Sequence, residues 1–252
     1  MSLNGKNAVV YGGGGTIGGA CAEAFARAGA RVFLAGRTAA RLEAVAARIE
    51  AAGGRAETAV LDATDEQQVD EHADEVARSA GSLDISMNVI QHGDVQGTPM
   101  AEMAVEDYLQ PVATAVRTSF LTWRAAARNM AGSGGGVILV FGGSGPAMRG
   151  YSLGGLQVAF EAMESMRRQL STELGPQGVR VVTLRSGGIA ESFPAGFDGR
   201  EQLVASLDAM TLRGRAATLW EVGETAAFCA SDAAAAMTGA TINVSAGALI
   251  DY

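Results

Sequence analysis

Residues 7–18 read Asn-Ala-Val-Val-Tyr-Gly-Gly-Gly-Gly-Thr-Ile-Gly, an apolar run that leads directly into five glycines. Apolar residues then recur at helical spacing from Ile17 to Ala28, and Gly29 follows as a helix stop. A strand, a glycine loop and a helix in this order let a pyrophosphate approach bare backbone at a helix amino terminus. We therefore predict a dinucleotide-binding βα unit; the alternative, a turn without a ligand, would need fewer glycines.

Short β-branched runs and longer helical patterns alternate along the whole chain, which is typical of βαβ units in a parallel sheet. The predicted strands are 7–12, 31–36, 56–62, 84–90, 136–142, 178–186 and 240–245, and the later helices are 39–52, 65–80, 103–131 and 152–174. Thr64 and Gln67 fit a capping box at the start of helix 65–80. We predict a Rossmann-type doubly wound α/β sheet of about seven strands with helices on both faces. It forms one domain over residues 1–252, with a short helical lid-like segment at about 191–215.

Composition limits the function classes. Hydrophobic residues make up 48% of 252 residues, enough for a sizeable core. The net charge of -8 comes with no clustered basic run, which argues against nucleic acid as a partner. No apolar run approaches the roughly 18 residues of a membrane span, and the first residues lack a signal core. Cys21 and Cys229 have no metal-ligand spacing, so we expect buried thiols, no metal, no membrane partner and a cytoplasmic location.

The residues after the second strand bear on the choice of dinucleotide. A carboxylate there would accept a hydrogen bond from a ribose 2′-hydroxyl, whereas an arginine would pair with a 2′-phosphate. The chain reads Leu-Ala-Gly-Arg-Thr at 34–38 and has no acidic residue between Glu23 and Glu43. Arg37 and Thr38 therefore favour NADP(H) over NAD(H); the alternative is that Arg37 is a solvated residue at a helix start.

Over roughly residues 5–251 the chain resembles the short-chain dehydrogenase/reductase family. The resemblance rests on the glycine loop, on Asp62 after the third strand, on Leu-Asp-Ile at 83–85 leading to Asn88, and on Thr-Gly-Ala-Thr-Ile-Asn-Val at 238–244. It departs at Thr16, where the family has a further glycine, and at 88–91, which read Asn-Val-Ile-Gln in place of Asn-Asn-Ala-Gly. The dinucleotide-binding residues that the resemblance implies are Gly12, Gly14, Gly15, Thr16, Ile17, Gly18, Arg37, Thr38, Asp62, Ala63, Asn88, Gly187 and Ile189.

The resemblance also implies hydride transfer between nicotinamide and a carbonyl or alcohol, with a Tyr, a Lys, a Ser and an Asn as the usual catalytic set. The matching register places Leu156 at the Tyr, Phe160 at the Lys, Gly143 at the Ser and Ala115 at the Asn. The only lysine of the chain is Lys6, ahead of the first strand, so no register supplies the Lys. The chain is thus identified as a divergent member without the usual catalytic residues, and Leu156 and Phe160 are read as core or as an apolar pocket wall.

Three nearby residues are candidate substitutes. His92 follows the fourth strand at its carboxyl end, where such folds bind ligands, and Asp94 is close enough in sequence to orient it. Ser144 stands one residue past the Ser position. Tyr151 lies in the loop ahead of the helix with Arg149 nearby, whose charge would favour the phenolate. Each has a structural alternative as an ordinary loop or turn residue.

Three functions stay open. The first is an NADP(H)-dependent oxidoreductase on a small, apolar carbonyl or alcohol, with His92 or Tyr151 as an unconventional proton donor. The second is a lyase, cyclase or isomerase on the same fold, with the dinucleotide structural or absent. The third is a binding or partner protein without turnover. By family analogy, helices 103–131 and 152–174 would form a homo-dimer or homo-tetramer.

Overall fold

The computed structural model describes residues 2–142, 151–194, 196 and 198–251. Its centre is a parallel sheet of seven strands in the order β3-β2-β1-β4-β5-β6-β7. The strands are β1 Asn7–Tyr11, β2 Arg31–Gly36, β3 Arg55–Val60, β4 Ile85–Asn88, β5 Gly136–Gly142, β6 Val179–Arg185 and β7 Thr241–Asn243. The predicted doubly wound α/β fold is confirmed, because both halves of the sheet grow outward from β1 and β4.

Helices cover both faces of the sheet. They are α1 Thr16–Arg27, α2 Ala39–Ala51, α3 Glu66–Ala80, α4 Val105–Met130, α5 Gly155–Leu174, α6 Arg200–Ala209 and α7 Leu219–Ala230. One apolar core joins the sheet to α1, α2 and α7, and the other joins it to α3, α4 and α5. The strands alternate between the two cores: Val10 belongs to the first and Val9 to the second, as the two-residue period of a strand requires.

The two edges of the sheet differ in chemistry. At the amino edge, Lys6 pairs with Asp84 at 3.4 Å, and the backbone N–H of Asn7 donates to Asp84 at 2.9 Å. The carboxyl edge carries the glycine loop, the loops after β2 and β4, and the turn after β6. Ligands of open α/β sheets bind at this edge, near the point where the strand order reverses. Here that point lies between β1 and β4.

One local prediction needs correction, and one helix was not predicted. The residue that caps α3 is Asp65, whose carboxylate accepts from the backbone N–H of Gln68 at 3.1 Å, so the capping box predicted at Thr64 is wrong. Thr64 instead donates from its hydroxyl to Asp62. The helix α7 was not predicted, although Thr218 and Glu221 form a capping box at its start.

The interval 191–215, predicted as a lid-like segment, contains the end of a short 3-10 turn at Ala190–Ser192 and the helix α6. Gly188 and Gly247 both pack against this interval. A Cβ on Gly188 would lie 2.7 Å from Leu207, and one on Gly247 would lie 2.7 Å from Leu212. The interval is therefore held next to the turn after β6. Within the part of the chain that the structure describes, no helix has both the length and the apolar character needed to cross a bilayer.

Candidate dinucleotide and substrate site

The glycine loop is packed too closely for side chains at three positions, Gly12, Gly13 and Gly18. Gly12 has a φ of +82°, and a Cβ there would lie 2.6 Å from the carbonyl oxygen of Val89. A Cβ on Gly18 would overlap the carbonyl oxygen of Gly12. The backbone N–H groups of Gly12 and Gly13 donate to Ala35 on β2, at 2.8 and 3.2 Å. The loop is thus fixed against both neighbouring strands, and Gly12 and Gly18 are required by geometry.

The start of α1 is open to an anion. Gly15 occupies the N-cap, and no side chain caps the helix. The first-turn N–H groups of a helix, here those of Thr16, Ile17 and Gly18, have no acceptor within the helix. The first turn contains no acidic residue that would repel a phosphate. A pyrophosphate fits this bare helix start, so the residues present suit the dinucleotide that the sequence predicts.

Arg37 and Thr38 follow β2 directly, and both are exposed at the carboxyl edge. Asp62 follows β3, the neighbouring strand, and Ala63 after it is buried. Hydrogen bonds from the backbone and hydroxyl of Thr64 hold the pKa of Asp62 below its usual range, and the positive charge of Arg37 acts in the same direction. Arg37 is therefore close enough to Asp62 for its charge to act on the carboxylate, which their sequence positions alone do not reveal.

An open groove of about 430 Å³ begins at the outer face of the glycine loop and runs between α1, α2 and α7. Three arginines line it. Arg27 pairs with Glu224 at 2.9 Å, and Arg48 pairs with Glu23 at 2.8 Å. Arg41, whose Cβ lies next to Gly14, forms no ion pair with the described residues. Its guanidinium is accordingly available to an anion in this groove.

Asn88 ends β4 beneath the glycine loop and is buried. Its amide nitrogen donates to Thr118 at 3.3 Å and to Thr122 at 3.4 Å on α4, while its oxygen accepts from the backbone N–H of Ile90 at 3.0 Å. These bonds tie the loop after β4 to α4. Asn88 thus orients the loop on which His92 is carried.

His92 is 9% exposed and packs edge-on against Phe160 of α5, with ring centroids 6.2 Å apart. Burial lowers the pKa of His92, and the charge of Asp94 opposes that shift by a smaller amount. The carboxylate of Asp94 accepts a hydrogen bond from the side chain of Gln96 at 2.5 Å. Asp94 therefore acts on His92 through its charge, and its hydrogen-bond partner is Gln96. Burial of His92 consequently favours its neutral imidazole form.

Phe160 lies against the end of β5. Gly142 has a φ of +143°, and a Cβ there would lie 2.7 Å from the Phe160 ring. One helical turn earlier on the same face, Leu156 is 9% exposed, and Ala115 of α4 is fully buried. Three of the four positions that the resemblance assigned to catalysis thus carry buried or half-buried apolar side chains. The fourth, Gly143, lies outside the described residues, as does Ser144.

Tyr151 is 47% exposed in the segment ahead of α5. Its hydroxyl donates to Gln96 at 3.2 Å, and the backbone N–H of Gly97 donates to Ser152 at 2.8 Å. The segment therefore pairs with the loop that carries His92. Arg149, proposed as a cation near Tyr151, lies outside the described residues.

Beyond β6, the backbone turns sharply at Gly187, where a Cβ would lie 2.6 Å from the Cβ of Ala248. Ile189 is buried in the core with α1, α2 and α7. The sequence reading missed Arg185 and Asn243, which end β6 and β7 and both contact the carboxylate of Asp251. The signal was present, since Arg185 stands at a strand's carboxyl end just as Arg37 does.

In the ranges that the structure describes, no group of His, Cys, Asp and Glu has the arrangement of a metal site. Cys21 and Cys229 are buried thiols, and burial raises the pKa of Cys229 to about 11 and that of Cys21 to about 12. Neither thiol is a reactive nucleophile at neutral pH.

The parallel sheet and the glycine loop define a Rossmann-type α/β protein. Residues 14–248 match the family model described as enoyl-(acyl carrier protein) reductase. A galactitol 2-dehydrogenase of Rhizobium johnstonii is 31% identical, and the match covers 97% of this chain and 95% of that enzyme. A D-threitol dehydrogenase of Mycolicibacterium smegmatis is 29% identical, and the match covers 97% of this chain and 93% of that enzyme. A short-chain dehydrogenase of Burkholderia cenocepacia, solved in complex with NADP, has a TM-score of 0.82 at 26% identity and covers 98% of this chain and 99% of its own. The chain belongs to the short-chain dehydrogenase/reductase family of oxidoreductases.

Proposed function

We propose that the chain is an NADP(H)-dependent oxidoreductase that interconverts a carbonyl and an alcohol without the family's usual Tyr and Lys. The single observation that carries the proposal is the contact of His92 with Phe160. It places an ionisable imidazole beside the position that the resemblance assigns to the Lys. The sugar-alcohol dehydrogenases among the relatives support an alcohol or its carbonyl as the substrate class.

For the cofactor, the proposal assigns the pyrophosphate to the backbone N–H groups at the start of α1. The 2′-phosphate pairs with Arg37, next to Thr38, and Arg41 adds a second positive charge at the mouth of the groove. A relative's NADP complex supports this preference for the phosphorylated dinucleotide. Bound NADP(H) supplies or accepts the hydride at the substrate carbon.

His92 is the general base in alcohol oxidation and the general acid in carbonyl reduction. As a neutral imidazole, it accepts the hydroxyl proton when an alcohol is oxidised, and as an imidazolium it returns that proton to the carbonyl oxygen. The lowered pKa favours the neutral form, so oxidation is the direction that His92 supports best at neutral pH. Leu156 and Phe160 form an apolar wall that excludes water around this exchange. The segment 191–215, packed next to the turn after β6, covers the same edge as a lid.

The test is NADPH oxidation with a panel of ketones and aldehydes, and NADP⁺ reduction with the matching alcohols. His92→Gln is expected to lower kcat by about 100-fold or more. His72→Gln is the matched control, because His72 is the other histidine and lies on α3, where its ring packs against Tyr11. Tyr151→Phe tests the alternative donor. Full activity in both His92→Gln and Tyr151→Phe would remove both proposed groups.

A substrate converted without consumption of NADPH would instead indicate the lyase, cyclase or isomerase reading. The absence of a lysine at the carboxyl edge favours that reading as the second candidate. Titration calorimetry with NADPH and NADH separates the cases first, since the redox proposal requires binding. Sedimentation of the same sample tests the further proposal of a homo-dimer or homo-tetramer, and cell fractionation tests a cytoplasmic location.

A further inference from the structure

Two donors from neighbouring strands converge on one carboxylate at the carboxyl edge of the sheet. The guanidinium of Arg185, at the end of β6, pairs with the carboxylate of Asp251. Asn243 is the register partner of Arg185 on β7, and its amide donates to the same carboxylate at 3.1 Å. A guanidinium and an amide held side by side fix the orientation of a carboxylate. The two strands thus build a carboxylate site, which Asp251 occupies.

Arg185 leaves the sheet on the face that carries Phe160. Register partners on adjacent strands point to the same face, and Arg185 is the partner of Gly142. The missing Cβ of Gly142 points at the Phe160 ring. Two residues before Arg185, Thr183 donates to Glu164 on the same helix, which confirms the face. The carboxylate site and the proposed reaction site are therefore on the same face at the same edge.

The two halves of the ion pair differ in exposure. The Arg185 side chain is 14% exposed, whereas that of Asp251 is 56% exposed. The less exposed partner, Arg185, belongs to the sheet, and the exposed partner, Asp251, belongs to the segment that follows β7. An ion pair with one solvated partner contributes little net free energy. A second carboxylate that brings apolar surface with it can accordingly compete with Asp251 for these donors.

We propose that Arg185 and Asn243 bind the carboxylate of an oxo acid or hydroxy acid with an apolar substituent, and that Asp251 holds the same donors when no substrate is bound. Arg185 is then a specificity-determining residue, and Asp251 is an internal competitor. That such an acid is oxidised or reduced here rests on the proposed function, whereas binding of its carboxylate by Arg185 and Asn243 does not. Leu156 and Phe160 of α5 account for the apolar substituent.

The test is calorimetric titration of the NADP⁺-saturated protein with phenylglyoxylate and with its neutral methyl ester. Saturation with NADP⁺ keeps the probe from occupying the pyrophosphate site. Because a charge-assisted hydrogen bond is worth a factor of about 10 or more, wild type is expected to bind the acid at least about 10-fold more tightly than the ester. Asp251→Asn is expected to tighten acid binding by about 3-fold or more and leave the ester unchanged.

Arg185→Gln is expected to bring the acid down to the affinity of the ester, and Arg185→Lys to keep part of the preference. Glu50→Gln is the matched control for Asp251→Asn, because it removes one exposed negative charge on α2, across the sheet. Thermal unfolding of each variant reports on folding. Equal affinity for acid and ester in wild type and in Asp251→Asn overturns the proposal. So does a fall in Tm for Asp251→Asn with no change in acid binding, which would make the pair a structural latch.

Discussion

Replacing Arg37 with Gln tests the cofactor assignment most directly. Arg37 is exposed at the end of β2, and its positive charge already acts on the carboxylate of Asp62. A charged hydrogen bond to a phosphate is worth about 1.5–3 kcal/mol, and solvent exposure places this one at the lower end. We therefore expect Arg37→Gln to weaken NADPH binding by about 10-fold.

The assay is titration calorimetry with NADPH and NADH at one fixed salt concentration. NADH lacks the 2′-phosphate, so its affinity should change by less than about 2-fold. Arg55→Gln is the matched control, because Arg55 is exposed at the amino end of β3, away from the glycine loop. A wild-type protein that binds NADH more tightly than NADPH would refute the reasoning, as would an equal loss of both ligands in Arg37→Gln.

Three further perturbations test the site and the core. In wild type, the rate of alcohol oxidation should rise with pH, because His92 must be neutral to act as the base. The midpoint of that rise should lie below the ordinary pKa of imidazole, because burial lowers the pKa of His92. A flat profile from pH 5 to 8 would exclude His92 as the base. Gly12→Ala should lower the free energy of unfolding by roughly 1–3 kcal/mol and abolish NADPH binding, because the new Cβ would meet Val89 at a φ of +82°. Urea titration measures the unfolding free energy, and calorimetry measures NADPH binding. Unchanged binding would show that the loop has room for a side chain. Glu164→Gln should lower the free energy of unfolding by about 3–5 kcal/mol, because it leaves the buried guanidinium of Arg167 without a counter-charge. If that charge is the cause, the double variant Glu164→Gln/Arg167→Met should recover much of the lost free energy.

The fold was predictable because its signals are local and repeated. The periodicity of each segment identifies a strand or a helix, and glycines such as Gly29 and Gly81 mark the ends. Strands 31–36 and 136–142 have the predicted bounds, and the remaining strands differ by at most two residues at either end. The helix α7 was missed because Gly223 interrupts its pattern, yet that glycine lets α7 approach α1 closely.

The candidate site was less predictable, because its contacts join residues far apart in sequence. Nothing local in the sequence places His92 against Phe160 or brings Arg185 and Asn243 to one carboxylate. The prediction that Asp94 orients His92 used sequence proximity, and the structure gives Asp94 to Gln96 instead. Short side chains in loops have several partners within reach, so the choice among them depends on tertiary packing.

The isolation of Lys6 also has a practical consequence. Lys6 is the only lysine of the sequence, and its side chain, which pairs with Asp84, is 43% exposed and so accessible to an amine-reactive reagent. A fluorophore or a surface linker attached there sits at the amino edge of the sheet, opposite the glycine loop. Attachment restricted to the Lys6 side chain would leave the ligand-binding edge toward solution, which suits surface-based binding measurements with nucleotides and acids.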